Sequence, residues 1–502
     1  MGIAFSLVFK HRLASLFKRI RPTTIFLVLI LLVASFFRFY NTPMRYSIGD
    51  DSSRDALVAF EGARQLQLPL TGPFSSLGPF TFGPWYYIQL IFFTLLTQIP
   101  YAPWVYIGFS SILFVLVMYL IGKEVEGEYL GLVTAFLTAI SPIQIVTGVS
   151  LSNAWNVALF AGLGLLAFLK TLKVHASYWW GLVLGVTIGL AISAHYSAIP
   201  LLLFSPAILL YRPKYYKYFI ASLIGLSIVF LPIVIFDLNN HWFTLRNVMY
   251  SYIHMKERIY VANSWTIYLR DFWPKHLSDI TGLSIPIAWL ITVSSAVSFL
   301  FTFYQKTLKT SMKLLVCIFM ITFLQLRYYG GERSISYLQY LQPFLLLFLA
   351  YPIAHLYKMR YGAPMYIAVL TAVFLLALPV NISALKSPLF EEQIHTISDK
   401  LVNLNPHQKY STFTCGDTAT GKMQALMLVL NIDNRLDTVS GAKIGFADPV
   451  CSKKGAVVIE NDLLDLSKVD TVGLAKSGWI PLTPEGVHAK TVRWWIQNRF
   501  DK

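Results

Sequence analysis

The chain has 502 residues, of which 56% are hydrophobic, 15% aromatic and only 13% charged. Soluble globular proteins carry about 25% charged residues, so this composition excludes a secreted soluble enzyme, a nucleic-acid-binding protein and a disordered scaffold. We predict an all-α polytopic membrane protein, because apolar runs long enough to cross a bilayer recur between residues 23 and 382. In a membrane protein a formal net charge of +16 reflects the basic residues that set topology, and it does not indicate nucleic-acid binding.

The first apolar run, residues 23–40, follows a basic start that includes Lys18, Arg19 and Arg21. Such a flank stays in the cytoplasm, so the run leads outward. A cleaved signal peptide has a similar pattern, but no small-residue cleavage site follows this run. We therefore predict a retained anchor with a cytoplasmic N-terminus, in a multi-pass protein of the plasma or inner cell membrane.

Ten further spans bring the predicted total to about eleven, at 103–122, 129–146, 153–170, 178–194, 197–211, 217–236, 283–304, 313–327, 338–355 and 363–382. The apolar segment 85–99 is short and flanked by prolines, and we interpret it as an outer-surface helix. Every predicted inner connection is then basic, as the positive-inside rule requires, and the region after residue 382 lies outside.

The first predicted outer loop, residues 41–102, contains the acidic run Asp50-Asp51-Ser52-Ser53-Arg54-Asp55. Placing carboxylates beside a membrane costs free energy unless a cation pairs with them. If Ser52 or Ser53 caps a helix, Asp51 lies at its positive end, where the helix dipole favours a negative charge. Two interpretations stay open at this point: a catalytic or metal-binding cluster, or a helix cap with local ion pairs to Arg45 and Arg54.

The predicted outer side is rich in arginine where the positive-inside rule should remove it, at Arg38, Arg45, Arg54, Arg64, Arg246, Arg258, Arg270, Arg327 and Arg333. Arginine binds phosphate through two parallel hydrogen bonds, so together these residues indicate an anionic ligand on the outer face. Three of them fall in a second long outer loop, residues 237–282. For any single arginine, contact with lipid headgroups or with a nearby acid is the alternative.

The composition changes after residue 382, and we divide the chain into a membrane domain, 1–382, and an extracytoplasmic domain, 383–502. Residues 410–415 and 456–460 are predicted strands, with a helix at 420–430 between them, so the second domain is a small α/β domain. Cys415 and Cys451 both lie in it, and an oxidising compartment favours a disulfide between them over two buried thiols.

Several motifs resemble one family of membrane enzymes: Asp51-Ser52-Ser53-Arg54-Asp55, Gly83-Pro84-Trp85-Tyr86-Tyr87, Trp155-Asn156, His195-Tyr196-Ser197-Ala198 and Tyr337-Leu338 with Pro343. In this order they resemble the glycosyltransferases of the C-type fold, of the family 39 type, relatives of protein O-mannosyltransferases and of aminoarabinose transferase. The resemblance covers roughly residues 20–380. Ser336 departs from the usual arginine, and Asn153 and Asn156 stand where many relatives carry an aspartate.

The resemblance implies transfer of a single sugar from a polyprenyl-phosphate donor to an acceptor hydroxyl on a glycan, lipid or protein, with inversion. Asp51 is then the base, with Asp50 as the alternative. Asp55 orients Asp51 or binds, together with it, a divalent cation such as Mg²⁺ or Mn²⁺. The implied substrate-binding residues are Arg54, Trp85, Tyr86, Trp155, Asn156, His195, Tyr196, Arg246, Arg258, Arg270, Arg333 and Tyr337.

The sequence is also compatible with two other functions. A lipid-linked sugar flippase or transporter would place charges along a path through the membrane, whereas here the charges gather at the ends of the spans. An oligosaccharide ligase or polymerase with a lipid-diphosphate donor would use the same outer arginines. The acidic pair directly after the first span favours the single-sugar donor.

Overall fold

The computed structural model describes residues 21–42, 44–46, 48–75, 80–173, 175–211, 213–254, 265–304, 306, 308–328, 335–357, 361–386, 407–449, 451, 455–460 and 463–484. In the described residues up to 383 the regular elements are helices, and a five-stranded sheet with two helices follows. The predicted fold class, a helical membrane protein with a small C-terminal α/β domain, is confirmed.

The helices of the membrane region are, in chain order, α1 Pro22–Phe39, α2 Asp50–Gln65, α3 Trp85–Thr97, α4 Ala102–Glu126, α5 Glu128–Ile140, α6 Pro142–Thr147, α7 Val157–Thr171, α8 Trp179–Ala194, α9 Phe204–Tyr211, α10 Tyr216–Asn239, α11 Phe243–His254, α12 Trp265–Ile267, α13 Trp273–Thr281, α14 Ile285–Tyr304, α15 Thr310–Tyr328, α16 Gln342–Leu356 and α17 Gly362–Ser383. Short 3-10 segments connect some of them, at Asn153–Asn156, Tyr196–Leu203, Pro213–Tyr215 and Ile335–Leu341, and a π-helical turn spans Tyr268–Phe272.

Each predicted span coincides with helical structure, but only eight helical stretches in the described chain are long and apolar enough to cross a membrane on their own. The other three predicted spans fall on the shorter apolar stretches Glu128–Ile140, Trp179–Ala194 and Tyr196–Tyr211. Pro142 explains one of them, because it cannot continue a helix and instead starts α6. Helix α3, with 13 residues, is about 20 Å long and shorter than a bilayer core.

Small residues bring the helices of the bundle close together. Helices α8 and α10 are one such pair, in which Gly185 lies against the backbone of Ser222 and Gly225 lies against the carbonyl of Leu182. A Cβ atom at either glycine would collide with that backbone. Close backbone approach at small residues is how helices associate where no hydrophobic effect drives them together.

The two ends of the bundle carry different charges. At one end Glu124 binds Lys170 and Lys173, Lys123 binds Glu128, and Lys309 donates to the carbonyl of Val125. We call this the basic end, defined by Lys123, Lys170, Lys173 and Lys309. Helix α1 starts here, because Arg21 lies 3.6 Å from Glu128. The opposite end, where α1 finishes and α4 begins, carries α2, α3, α11 and the sheet domain, and we call it the loop face.

The C-terminal domain is built on β1 Tyr410–Cys415, β2 Ala442–Ala447, β3 Val457–Glu460, β4 Leu463–Asp465 and β5 Ile480–Leu482, with helices α18 Asp417–Ile432 and α19 Thr471–Lys476. The strand order is β3-β4-β2-β1-β5. Strands β1 and β2 are parallel and joined by α18, and the other neighbours are antiparallel. Both predicted strands and the predicted helix between them are present, and Cys415 and Cys451 are joined by a disulfide.

Candidate active site

The acidic run of the first loop forms the start of α2. Gly49 is the N-cap, and its backbone N–H donates to Oγ of Ser52 at 2.7 Å. The prediction that Ser52 or Ser53 is the N-cap is therefore wrong by three or four residues, because Asp50 and Asp51 already adopt helical backbone conformations. Both acids occupy the first turn, where the exposed backbone N–H groups favour negative charge.

Arg54 joins the two aspartates that flank it. Its Nη1 lies 2.6 Å from Oδ1 of Asp51, and its Nε and Nη2 donate to Oδ1 of Asp55 at 3.0 and 2.8 Å. The hydroxyl of Tyr87 on α3 donates to the same oxygen of Asp55 at 2.8 Å. The result is a chain of contacts from Tyr87 through Asp55 and Arg54 to Asp51.

The two carboxylates differ in their exposure to solvent. The side chain of Asp51 is 75% exposed, that of Arg54 17% and that of Asp55 0%. Burial raises the pKa of Asp55, an effect that the positive charge of Arg54 opposes. Burial also disfavours the charged form of Arg54, but Asp55, followed by Tyr87 and Asp51, outweighs this effect, so the pKa of the guanidinium is raised. Asp51 can therefore meet a substrate, whereas Asp55 is an internal anchor.

The predicted metal ligands Asp51 and Asp55 do not fit a divalent cation in this arrangement. Both carboxylates bind Arg54, whose guanidinium occupies the place between them that a metal ion would need. Within the described ranges, no group of three or more His, Cys, Asp or Glu residues could hold a metal ion. We therefore derive no step that passes through a metal.

An aromatic stack lies beside the second half of the first loop. The ring of His195 is sandwiched between Phe82, at a centroid distance of 4.9 Å, and Tyr337, at 4.6 Å. Burial lowers the pKa of His195 to about 4, so this imidazole is neutral at physiological pH. Its Nδ1 lies 2.8 Å from Oγ of Ser197. Histidine and tyrosine from two predicted motifs, 142 residues apart, are thus brought into direct contact.

The loop approaches this stack through close backbone contacts. The N–H of Gly83 donates to the carbonyl of Ser193 at 2.9 Å, and a Cβ atom at position 83 would collide with the side chain of Ser193. The hydroxyl of Tyr196 donates to the carbonyl of Thr81 at 2.8 Å. The Gly83-Pro84 step therefore seats the loop against the ends of α8 and of the following 3-10 segment.

Trp85 and Tyr86 occupy different positions. The indole N–H of Trp85 donates to the carbonyl of Val229 on α10 at 2.7 Å, and its ring is half-buried. Tyr86 is buried beside Tyr87, with ring centroids 5.6 Å apart. Tyr86 is thus part of the packing behind Asp55, whereas Trp85 faces a groove between helices.

Trp155 and Asn156 lie inside the bundle, in the 3-10 segment that precedes α7. They border a cavity of about 10 Å³ that is also lined by polar residues of α4 and α6, including Ser110, Ser111 and Gln144. The amide of Asn156 approaches the hydroxyl of Tyr106 at 3.5 Å, and Asn153 donates to the carbonyl of Ala194 at 2.6 Å. These contacts are with neutral groups and support the bundle.

The predicted outer arginines have several different roles. Arg38 and Arg45 are buried and donate to backbone carbonyls, as when Arg38 donates to Ala139 at 3.0 Å and Arg45 to Phe37 at 2.9 Å. Arg64 pairs with Glu61, Arg270 forms a bidentate pair with Asp271, and the guanidinium of Arg327 lies over the ring of Trp265. Arg246 is exposed on α11. Arg258 and Arg333 lie outside the described residues.

The second loop is tied to the first by residues that the sequence analysis did not single out. The carboxylate of Asp237 accepts the backbone N–H groups of Thr244 and Leu245 at 2.8 and 2.9 Å, which caps the start of α11. The hydroxyls of Thr244 and Thr81 lie 3.2 Å apart. Tyr87 was missed as well, although it is the last residue of a motif already noted, and only its contact with Asp55 shows its role.

No family model matches the sequence, and no curated protein matches it either. Solved structures do match in fold. ArnT from Cupriavidus metallidurans bound to undecaprenyl phosphate matches with a TM-score of 0.62 and 12% identity, over 87% of this chain and 97% of that one. The oligosaccharyltransferase of Archaeoglobus fulgidus in complex with Zn and sulfate matches with a TM-score of 0.53 and 14% identity, over 76% of this chain and 55% of that one. Helix order, the loop-face site and these likenesses together show that the chain has the C-type fold of membrane glycosyltransferases.

Proposed function

We propose that this protein is an integral membrane glycosyltransferase that moves a single sugar from a polyprenyl-phosphate donor to an acceptor hydroxyl at the loop face. The observation that carries the proposal is the exposed carboxylate of Asp51, held at a helix N-terminus by Arg54, which the buried carboxylate of Asp55 fixes in turn. The fold likeness to a protein crystallised with undecaprenyl phosphate supports the donor class.

An apolar groove between three helices supports a lipid-linked donor. It has a volume of about 320 Å³ and is lined almost entirely by apolar side chains of α3, α8 and α10: Trp85, Ile88, Gln89, Phe92, Val186, Leu190, Ile228 and Val229. Trp85 is the first residue of α3, which begins at the loop face. We propose that a polyprenyl chain lies in this groove with its phosphate directed toward the loop face.

The proposed reaction needs one base. Asp51 takes the proton of the acceptor hydroxyl, the hydroxyl oxygen attacks the anomeric carbon, and the bond from that carbon to the phosphate oxygen breaks. Its electron pair leaves with the polyprenyl phosphate, and attack opposite the leaving group inverts the anomeric centre. Arg54 and Asp55 hold the base in place, and Asp50 is the alternative base.

The leaving phosphate needs positive charge, for which arginine is well suited. We propose Arg246, Arg258, Arg270 and Arg333 for this role. Arg270 would exchange its contact with Asp271 for the phosphate. Because Arg54 already contacts both aspartates, we assign the phosphate to the other guanidinium groups.

The proposed topology places the loop face outside the cell and the basic end in the cytoplasm. Labelling with a membrane-impermeant maleimide tests it in intact cells. In a Cys317→Ser background, Asp51→Cys should be labelled and Lys173→Cys should not, since both positions are exposed but lie at opposite ends. Labelling of position 173 alone would reverse the topology.

The function is tested by incubating the purified full-length protein, reconstituted in lipid, with radiolabelled polyprenyl-phosphate hexoses and candidate acceptors. Release of free polyprenyl phosphate together with loss of label from the lipid supports the proposal. Two results overturn it: consumption of a lipid-diphosphate oligosaccharide in place of the monophosphate indicates a ligase, and movement of intact donor across the bilayer indicates a flippase.

A further inference from the structure

Helix α18 of the C-terminal domain is buried on two sides. On one side Met423, Leu426 and Leu430 pack with Ile444 and Phe446 of the sheet. On the other side Ala425, Met427, Leu428 and Val429 belong to an apolar cluster that contains no strand residue among its buried members. A helix that covered only its own sheet would leave this second face in solvent.

The partner of the second face is the helix that carries the candidate catalytic residues. The same cluster includes Ala56, Leu57, Val58 and Ala59 of α2, and α18 packs directly against α2. Tyr87, whose hydroxyl binds Asp55, belongs to it too. The core of the C-terminal domain therefore continues into the packing behind Asp51 and Asp55.

A second link joins the first loop to the chain entering the C-terminal domain. The Nη2 of Arg45 donates to the carbonyl of Ala384, directly after α17, at 3.2 Å, while its Nη1 donates to Phe37 and Tyr40. Helix α2 needs such support, because a helix of 16 residues with a polar sequence is marginal on its own.

We propose that the C-terminal domain is a positioning part of the catalytic site, in which α18 holds α2 and so sets the place of Asp51 relative to the donor. Leu428, a fully buried member of the cluster shared with α2, acts on Asp51 only through that helix. The inference rests on the proposed function for its catalytic consequence. A misplacement of about 1 Å can cost roughly a hundredfold in rate, so small shifts of α2 should be visible in turnover.

The chain offers a matched pair of variants for the test. Leu428 and Leu430 are both fully buried and lie on the same helix, but Leu428 packs toward α2 and Leu430 toward the sheet. In the full-length protein, Leu428→Ala should lower kcat about tenfold or more with an unchanged KM for the donor. Leu430→Ala should stay within about twofold of the parent. Leu428→Val provides a milder variant, with a smaller loss of kcat in the same direction.

Hydrogen exchange of the α2 amides gives a readout that does not depend on transfer. Leu428→Ala should speed exchange across residues 50–65 and Leu430→Ala should not. If this difference appears in a protein that transfers no sugar, the positioning role stands and the proposed function falls. Equal effects of the two variants on exchange and on kcat would overturn the positioning role. So would a rise in acceptor KM with unchanged kcat in Leu428→Ala, because that result indicates an acceptor-binding domain.

Discussion

The two ends of the helical bundle use charge in different ways. At the basic end, lysines pair with single glutamates, as when Lys173 contacts Glu124 at 2.7 Å and Lys123 contacts Glu128 at 3.1 Å. At the loop face, Arg54 contacts two aspartates at once, and one of them is fully buried. At the basic end the number of positive charges matters and their exact position does not. At the loop face the contacts of Arg54 require its nitrogen atoms to lie at defined distances from Asp51 and Asp55.

This difference has an energetic consequence. Partly exposed ion pairs contribute about 0–1 kcal/mol each, because water and salt screen them. Removing the partner of a buried charge costs about 3–5 kcal/mol, because the remaining charge is then uncompensated. Substitutions at the loop face should therefore have large effects on activity and stability, and those at the basic end small ones.

The largest effect is expected for Asp51→Asn. The amide cannot accept the acceptor proton, so transfer should fall by roughly 10²–10⁴-fold while the protein folds normally. Initial rates with a labelled polyprenyl-phosphate sugar measure the transfer, and a thermal unfolding curve measures whether the variant folds normally. The matched control is Glu61→Gln, because Glu61 lies on the same helix and pairs with Arg64 at the same i,i+3 spacing as Asp51 with Arg54. Equal rates for the two variants would remove Asp51 from the mechanism.

A smaller but clear effect is expected for Arg54→Lys. Lysine keeps the charge but offers a single ammonium group in place of the guanidinium fork that binds Asp51 and Asp55 together. Transfer should fall by roughly 10–100-fold, and stability by about 1–3 kcal/mol. Arg64→Lys, at an exposed pair on the same helix, should change neither quantity measurably. Full activity in Arg54→Lys would mean that charge alone suffices at the loop face.

Tyr87→Phe should shift the pH dependence. Burial raises the pKa of Asp55, and Arg54 and the Tyr87 hydroxyl both act against that rise. Without the hydroxyl the pKa of Asp55 rises further, because one of the groups that stabilise its charged form is lost. If the proposed mechanism holds, Asp55 is ionised in the active enzyme, and the acidic limb of the rate profile should move to higher pH. Stability should be lost as pH rises through the folded-state pKa, since the folded protein then has to ionise a buried acid.

The control for this shift is Tyr268→Phe, which removes a buried hydroxyl that donates to the carbonyl of Phe323 at 2.9 Å and lies in another part of the loop face. Its rate profile should coincide with that of the parent protein. An identical shift in both variants would show that the profile does not report on Asp55.

The smallest effect is expected at the basic end. Lys173→Ala removes one of the two lysines that bind Glu124, so stability should change by less than about 1 kcal/mol and transfer by less than about twofold. Thermal unfolding and initial rates measure these. A loss comparable to that of Arg54→Lys would show that charged side chains at the basic end matter as much for activity and stability as those at the loop face.

Much of the architecture could be predicted because long apolar runs and basic connections are local properties of the chain. The eight long apolar helical stretches of the described chain, both predicted strands and the helix of the C-terminal domain, and the acidic start of α2 follow from such patterns. The errors are local too. Pro142 interrupts a predicted span because proline cannot continue a helix, and the N-cap of α2 depends on which backbone conformation Gly49 adopts.

The site itself depends on contacts between distant residues, which periodicity and composition do not contain. Tyr87 contacts Asp55, Tyr337 stacks on His195, and Leu428 packs with α2 only because the fold brings them together. The sequence by itself determined that this is a membrane protein with basic connections and an acidic loop. The reason is that the free energy of transfer into a bilayer and the charge of a connection are properties of each segment separately. Tertiary structure decided which aspartate is exposed and which is buried, because burial and ion pairing are properties of neighbours in space.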